Sequence, residues 1–216
     1  MNQNNKEKIT GLILAGGKNI RMGQNKAFLE FAGQRIIDRT KNLFLELFDE
    51  VLLVTNFLLD YLDLNLRVVA DLYPGKGALG GIYTGLFHAS HSHAFVAACD
   101  MPFLNKSLIG RLVDLSPGYD IVIPKTPDGL QPLHAIYSQK CLPFMEDQLR
   151  KDNLKILDFF QRVKKREVPT EEILPLDPKL ASFLNVNTPE DLARAEDYLG
   201  QRRDDPKGEM PSLKSP

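Results

Sequence analysis

Short apolar runs alternate along the chain with segments of helical spacing, and this alternation restricts the possible folds more than any other feature. The runs are continuously apolar, which is typical of strands buried on both faces of a parallel sheet. They lie at Ile9–Leu14, Val51–Thr55, Arg67–Ala70, Ala94–Ala98 and Asp120–Ile123. Helices are predicted between them at 36–48, 81–89 and 106–115. The alternation predicts an α/β fold, a three-layer α/β/α arrangement around a mostly parallel, wound sheet.

The second half of the chain is less regular. Its pattern predicts strands at Leu133–Tyr137, Arg166–Pro169 and Ser182–Val186, and helices at Lys140–Lys151 and Leu154–Gln161. A last helix is expected to run to Leu199, because Thr188 suits an N-cap and Pro189 suits the first helical position. The topology of this half stays open at this point.

Length and composition indicate one folded domain. The chain has 216 residues, and we expect residues 10–200 to form the domain, residues 1–9 a flexible segment and residues 201–216 a disordered tail. The 27 Lys and Arg balance 28 Asp and Glu, which argues against a surface for nucleic acid or membrane. The first nine residues lack the apolar core of a secretory signal, so we expect a cytoplasmic protein.

The residues that most often hold transition metals do not form a convincing set here. Only two cysteines occur, Cys99 and Cys141, and they are too few for a zinc site or a disulfide framework. We expect both to be buried and reduced. His88, His91 and His93 run into a polar loop with no carboxylate or thiol nearby in sequence to complete a metal site.

A glycine-rich segment follows the first predicted strand directly. It contains Gly16, Gly17 and Gly23, together with Arg21 and Lys26. Glycines let backbone N–H groups approach an anion, and an Arg fork with a Lys point charge suits a triphosphate. The spacing matches neither the P-loop nor the dinucleotide fingerprint. Taken alone, the segment could also be a tight turn from strand to helix with two solvated surface cations.

Two acidic residues also follow predicted strands. Asp71 opens a segment with five Gly or Pro positions, up to Gly81, that we interpret as a flexible loop covering a ligand. Its carboxylate could accept hydrogen bonds from a base or ribose, or from backbone N–H groups of its own turn. Asp100 ends a strongly apolar strand and could be a ligand of Mg²⁺ held by phosphates, or a turn residue ahead of Pro102.

The chain resembles the molybdenum cofactor guanylyltransferase family in several segments that occur in the family's order. They are Leu14-Ala15-Gly16-Gly17 with Arg21-Met22-Gly23 and Lys26, Asp71 with Pro74-Gly75 and Leu79-Gly80-Gly81, Cys99-Asp100-Met101-Pro102, Gln131-Pro132-Leu133, and Asn185-Val186-Asn187-Thr188-Pro189-Glu190-Asp191. Single motifs are shared with many nucleotidyltransferases, whereas their order and the last element are specific. The resemblance spans Thr10 to Leu199 and implies a Rossmann-like nucleotidyltransferase fold.

The resemblance also implies an activity and its residues. The activity is Mg²⁺-dependent transfer of GMP from GTP to the molybdopterin cofactor, with release of pyrophosphate. The implied GTP contacts are Leu14, Ala15, Gly16, Gly17, Asn56, Asp71 and Gly80, with Arg21 and Lys26 on the phosphates and Asp100 on the magnesium. Arg21, Lys26 and Asp100 would be the catalytic residues. Pro132, Asn185 and Asn187 would lie on the acceptor side, and the recipient molybdoenzymes or their chaperones would be transient partners.

Two other functions stay possible at this stage. A cytidylyltransferase acting on the same cofactor tends to have Leu-Ala-Ala-Gly in its first loop, whereas this chain has Gly16 in the third place. A noncatalytic carrier of the cofactor would not need a metal-holding carboxylate such as Asp100. Both differences favour guanylyl transfer.

Overall fold

A computed structural model describes residues 8–16, 26–186, 188, 190–193 and 196, without the side chain of Lys26. The chain forms one eight-stranded sheet and a small two-stranded hairpin. The strands are β1 (Ile9–Leu14), β2 (Glu30–Phe31), β3 (Gln34–Arg35), β4 (Glu50–Val54), β5 (Arg67–Val69), β6 (His93–Ala98), β7 (Ile121–Thr126), β8 (Gly129–Leu130), β9 (His134–Ser138) and β10 (Lys165–Pro169). The helices are α1 (Ile36–Leu47), α2 (Gly77–His88), α3 (Lys106–Leu115), α4 (Leu142–Arg150) and α5 (Thr170–Ile173).

The large sheet is mostly parallel, as the sequence predicts. Its strand order is β10-β7-β9-β6-β1-β4-β5, with β8 paired to β7, and β2 with β3 forms the hairpin. Strand β1 pairs in parallel with β4 and β6, so Leu14 lies opposite both Val54 and Ala98. Strand β9 runs antiparallel to both of its neighbours, β6 and β7. The sheet therefore contains one inverted strand near its centre.

Helices cover both faces of the sheet. Apolar side chains of α1 and α3 pack on one face and those of α2 and α4 on the other, and each set forms its own buried cluster with alternate strand residues. In β1, Ile13 belongs to the first cluster and Leu12 to the second. The continuous apolar runs in the sequence are explained by this burial on two sides.

The structure corrects three predictions made from the sequence. Residues 182–186 do not form a strand, because the Asp177 carboxylate accepts the N–H groups of Ala181 and Ser182 and holds a turn there. The segment predicted as a helix at 154–161 is a 3₁₀ helix at Ile156–Arg162. Helix α2 begins at Gly77 rather than Gly81, so Gly77, Gly80 and Gly81, three of the glycines assigned to a flexible loop, are helical.

Glycine packing sets the distance between α2 and the sheet. A Cβ atom at Gly85 would lie 2.6 Å from the Leu12 Cδ1 atom, whereas a Cβ at Gly110 of α3 would meet no described atom within 4 Å. We expect Gly85→Ala to lower the free energy of unfolding by about 1–2 kcal/mol, since overpacking outweighs the better helix propensity of alanine. The matched change Gly110→Ala should raise it by about 0.5–1 kcal/mol. Urea denaturation of the two variants checks this, and equal stabilities would contradict it.

Candidate active site

The carboxyl ends of three parallel strands bring three predicted site segments together. The Ala15 N–H donates to the Val54 carbonyl at 2.9 Å, and the Cys99 N–H donates to the Leu14 carbonyl at 3.0 Å. The residues that follow β1, β4 and β6 thus lie side by side at one edge. Leu14, Ala15 and Gly16 are at its centre, between Asn56 and Asp100. Open α/β sheets bind their ligands at this edge.

Asp71 lies past the next strand of the same edge and is held from two sides. Its Oδ1 atom accepts the Tyr73 N–H at 2.9 Å and the Thr84 hydroxyl at 3.0 Å. The Thr84 oxygen in turn accepts the Leu72 N–H at 2.9 Å. The turn described from the sequence as the alternative role of Asp71 is therefore present. Within the described residues, the hydrogen bonds to Asp71 all fall on Oδ1, so its Oδ2 atom has no partner there.

Helix α2 supports this segment through residues one turn apart. A Cβ at Gly80 would lie 3.0 Å from the Tyr73 carbonyl oxygen and 3.4 Å from Asp71 Oδ1, and Thr84 is four residues further along the helix. Gly81 faces the Leu14 side chain in the same way, with a distance of 3.4 Å for a built Cβ. The absence of side chains at these glycines lets α2 pack against both Asp71 and Leu14. Sequence reasoning missed Thr84, although its spacing of four from Gly80 places it on the same helical face.

The hydroxyl of Thr84 offers a direct test of how Asp71 is positioned. Thr84 is fully buried, so Thr84→Val keeps the shape and removes both hydrogen bonds. The resemblance assigns Asp71 to the nucleotide, so we expect the KM for nucleotide to rise by about 10-fold with a smaller change in kcat. The Thr84 hydroxyl holds the carboxylate through one hydrogen bond and the adjacent Leu72 N–H through another, each of about 1 kcal/mol. Thr84→Ser should restore most of the loss. Steady-state kinetics of both variants measure this, and a Val variant equal to wild type would refute the positioning role.

The inverted strand β9 brings a fourth segment to the same edge. Because β9 is antiparallel to β6, its first residue His134 pairs with Ala97, near the carboxyl end of β6. The preceding residues, including Pro132, therefore lie on the Asp100 side of the sheet. The buried Tyr137 hydroxyl donates to the Pro132 carbonyl at 2.8 Å and anchors this turn. Burial raises the pKa of that phenol, which keeps it a neutral donor.

The chain returns to Asp100 once more near its end. The Val186 N–H donates to the Asp100 carbonyl at 2.8 Å, which places the exposed Asn185 next to the carboxylate residue. Two hydrogen bonds then fix the start of the next helical turn: Thr188 Oγ1 accepts the Asp191 N–H, and Asp191 Oδ2 accepts the Thr188 N–H. This reciprocal cap confirms the N-cap predicted at Thr188. Val186 and Leu192 pack with Phe31 and Ile36 in a small apolar cluster.

His134 is an uncommon core residue directly behind this edge. Its ring is fully buried between Phe95 and Phe183, with ring centroids 5.1 and 5.0 Å away. Neither ring nitrogen has a hydrogen-bond partner within the described structure. Burial lowers the pKa of His134 to about 3 because the charged ring would lose its hydration. The side chain is therefore neutral at physiological pH.

The other residues considered from sequence have these positions. Cys99 and Cys141 are both buried thiols, and burial raises the pKa of Cys141 to about 12. His93 lies with its two ring nitrogens 3.0 Å from the Ser92 hydroxyl and from the Tyr119 carbonyl. Gly17, Arg21 and Asn187 lie outside the described residues, as does the side chain of Lys26. In the part of the chain that the structure describes, no helix has the length and apolar character needed to cross a membrane.

The fold and this edge together define a nucleotidyltransferase-type α/β protein. The family of MobA-like NTP transferase domains matches residues 11–166, and the chain belongs to this family. It is 37% identical over 192 residues to the molybdenum cofactor guanylyltransferase of Desulfosudis oleivorans, covering 88% of this chain and 95% of that protein. It is 41% identical over 186 residues to the "probable molybdenum cofactor guanylyltransferase" of Pelotomaculum thermopropionicum, covering 86% and 91%.

A solved structure agrees with the same family. Molybdopterin-guanine dinucleotide biosynthesis protein A from Archaeoglobus fulgidus superposes with a TM-score of 0.76 at 29% identity, covering 89% of this chain and 100% of that one. The resemblance recognised in the sequence motifs is thereby confirmed at the level of family and fold.

Proposed function

We propose that this protein transfers GMP from GTP to the terminal phosphate of the molybdopterin cofactor and releases pyrophosphate. An acceptor phosphate oxygen forms a bond to the α-phosphorus of GTP as the bond to the β-phosphate oxygen breaks. The observation that carries the proposal is the meeting of Leu14–Gly16 and Asp100 at one sheet edge, linked by the hydrogen bond from Cys99 to Leu14. Such chemistry needs positioned substrates and offset charge rather than a covalent enzyme intermediate.

The donor nucleotide is assigned to the β1, β4 and α2 side of the edge. Leu14, Ala15, Gly16 and Gly17 would contact GTP, with Asn56, Asp71 and Gly80 around the nucleoside. Arg21 and Lys26 would bind the phosphates and offset their charge as pyrophosphate leaves. The fixed position of Asp71, with Thr84 and Tyr73 on one oxygen, supports its role because Oδ2 has no hydrogen bond among the described residues and can accept donors from a ligand.

Asp100 is assigned to Mg²⁺. Magnesium bound to phosphates takes one or two protein carboxylates and completes its shell with water and phosphate oxygens. A single carboxylate at the end of β6, beside the glycine-rich segment, suits that donor set. The ion would supply a positive charge that draws electron density from the phosphoryl group. Asp100 would hold it at the point where the donor and acceptor segments meet.

The acceptor is assigned to the β9 side and the C-terminal segment. Pro132, Asn185 and Asn187 would contact molybdopterin, since neutral amides bind phosphate or pterin edges without adding charge. The Tyr137 bond to Pro132 and the Val186 bond to Asp100 support this assignment, because they hold these segments at the edge. Molybdoenzymes or their chaperones would then receive the product in the cytoplasm, where GTP is available.

A nucleotide panel tests the proposed reaction. Purified protein with Mg²⁺ and molybdopterin should form the dinucleotide with GTP, and far less with CTP or ATP. The variant Gly16→Ala sharpens this, because a Cβ at Gly16 would meet no atom of the described residues within 4 Å. We expect it to fold as wild type and to lose about 10-fold or more in kcat/KM for GTP, since an added methyl group projects toward the ligand. Preference for CTP in the wild type, or no turnover with any nucleotide, would overturn the proposal.

A further inference from the structure

A polar groove lies next to Asp100 on the α1 side of the sheet and is not used in the proposed reaction. It encloses about 250 Å³ between the first turns of α1 and the segment Met101–Leu104, which follows Asp100 directly. Its polar lining comes from Gln34, Arg39, Thr40 and Asn42, and its apolar lining from Leu43, Met101, Pro102 and Leu104. The groove therefore offers one cation, amide groups and a hydroxyl at the carboxyl edge of the sheet.

Arg39 differs from the other arginines of the described structure. Six arginines each form an ion pair with a carboxylate, and these are Arg35, Arg67, Arg111, Arg150, Arg162 and Arg166. Among the described residues, no carboxylate lies within ion-pair distance of Arg39. The acid nearest in sequence, Asp38, is bonded to Arg35 at 2.6 Å. The charge of Arg39 is thus not offset by the described part of the protein.

The guanidinium of Arg39 is held in place although no acidic partner lies among the described residues. It stacks over the Phe31 ring at 4.8 Å from the centroid, and its Nε atom is buried without a hydrogen-bond partner in the described part of the chain. A half-buried, oriented guanidinium with unused donors is costly unless an anion completes it. Its planar fork matches the oxygens of a phosphate group, and the nearby amides of Gln34 and Asn42 can donate further hydrogen bonds.

We propose that this groove is an anion subsite that binds a phosphate group of a small molecule through Arg39. Phosphate binding stands on the groove alone, whereas its place in the reaction rests on the proposed function. In that reaction, two phosphate-bearing groups besides the reacting α-phosphate would lie close to Asp100: the leaving pyrophosphate and the terminal phosphate of the acceptor. The groove begins one residue after Asp100, so it can take either of them as it leaves or arrives.

Binding of inorganic pyrophosphate tests the subsite without turnover. Calorimetric titrations use wild type, Arg39→Gln and the control Lys41→Gln, which removes one positive charge from the same helix but does not line the groove. A nonhydrolysable GTP analogue at saturation fills the main nucleotide site. We expect saturable binding to wild type and the control, and at least about 10-fold weaker binding to Arg39→Gln, the loss of one charged hydrogen-bonding group.

The outcomes separate the subsite from the proposed function. Equal binding by wild type and Arg39→Gln, or no saturable binding to wild type, overturns the subsite. If the GTP analogue fails to bind while Arg39→Gln still loses pyrophosphate, the subsite stands and the proposed function fails. Kinetics then identify the source of the phosphate. A raised inhibition constant for pyrophosphate in Arg39→Gln would show that the groove binds the leaving pyrophosphate, whereas a raised KM for molybdopterin would show that it binds the phosphate of the acceptor.

Discussion

Asp100→Asn is expected to lower kcat/KM for guanylyl transfer by about 10³-fold, the scale seen when a single charge-stabilising group is removed from a transition state. The substitution keeps the size of the side chain and removes the negative charge that would hold Mg²⁺. The fold should be unaffected, because the backbone carbonyl of Asp100 still accepts the Val186 N–H. Single-turnover formation of dinucleotide, measured over a range of Mg²⁺ concentrations, provides the check.

The pattern of the loss matters as much as its size. Asp49→Asn is a matched control, because Asp49 is exposed directly before β4, at the amino ends of the parallel strands and so at the opposite edge of the sheet. It should retain wild-type rates. We expect Asp100→Asn to recover part of its rate as Mg²⁺ is raised, since a weakened metal site fills at higher concentration. A folded Asp100→Asn variant with full turnover at low Mg²⁺ would rule out the magnesium assignment.

The second large effect is on stability at low pH, and it comes from His134. Its pKa is about 3 in the folded protein, whereas an exposed histidine has a pKa of about 6.5. Between these values the unfolded chain binds the extra proton, so the free energy of unfolding falls as pH falls through this window. The cost of the histidine vanishes only well above pH 6.5. Its contribution is a loss of about 2 kcal/mol at pH 5 and about 3 kcal/mol at pH 4.

His134→Leu removes this loss while keeping an apolar side chain of similar volume between Phe95 and Phe183. Urea denaturation at pH 7, 6 and 5 should show wild type losing about 2 kcal/mol more than the variant across the range. His88→Leu is the control, because His88 is only half-buried on α2 and its replacement should leave the slope close to that of wild type. Parallel pH profiles for wild type and His134→Leu would contradict the burial of a neutral ring.

The parallel part of the fold could be predicted from the sequence because its strands are buried on both faces. Continuous apolar runs such as Ile9–Leu14 occur where helices cover both sides of a sheet, and the strand found there has the predicted bounds. The direction of β9 could not be predicted, because the pattern of apolar residues does not show whether a strand runs parallel or antiparallel to its neighbours. The prediction of a strand at 182–186 was wrong for a related reason. Phe183 packs on the His134 ring and Val186 on Phe31 and Ile36 without any strand pairing among the described residues, and the Asp177 carboxylate closes a turn that competes with such pairing.

The residues of the candidate site also divide into those that could be predicted from the sequence and those that could not. Residues that follow parallel strands, such as Gly16 and Asp100, could be placed at one edge from strand order alone. Residues that reach the edge by other means, such as Pro132 through an inverted strand and Asn185 through one backbone hydrogen bond, could be assigned only by resemblance. Thr84 and Arg39 were missed because their importance depends on partners: two hydrogen bonds for Thr84, and the lack of any described carboxylate for Arg39.

The inverted strand has a consequence for how such proteins diversify. Residues assigned to the nucleotide come from the chain before β7, and those assigned to the acceptor come from Pro132 onward, yet five register pairs between β6 and β9 join the two parts into one sheet. Under this assignment, exchanging the second half would alter the acceptor side and leave the residues assigned to the nucleotide in place. Chimeras joined at the exposed turn around Gly118, ahead of β7, would inherit their two specificities from different parents.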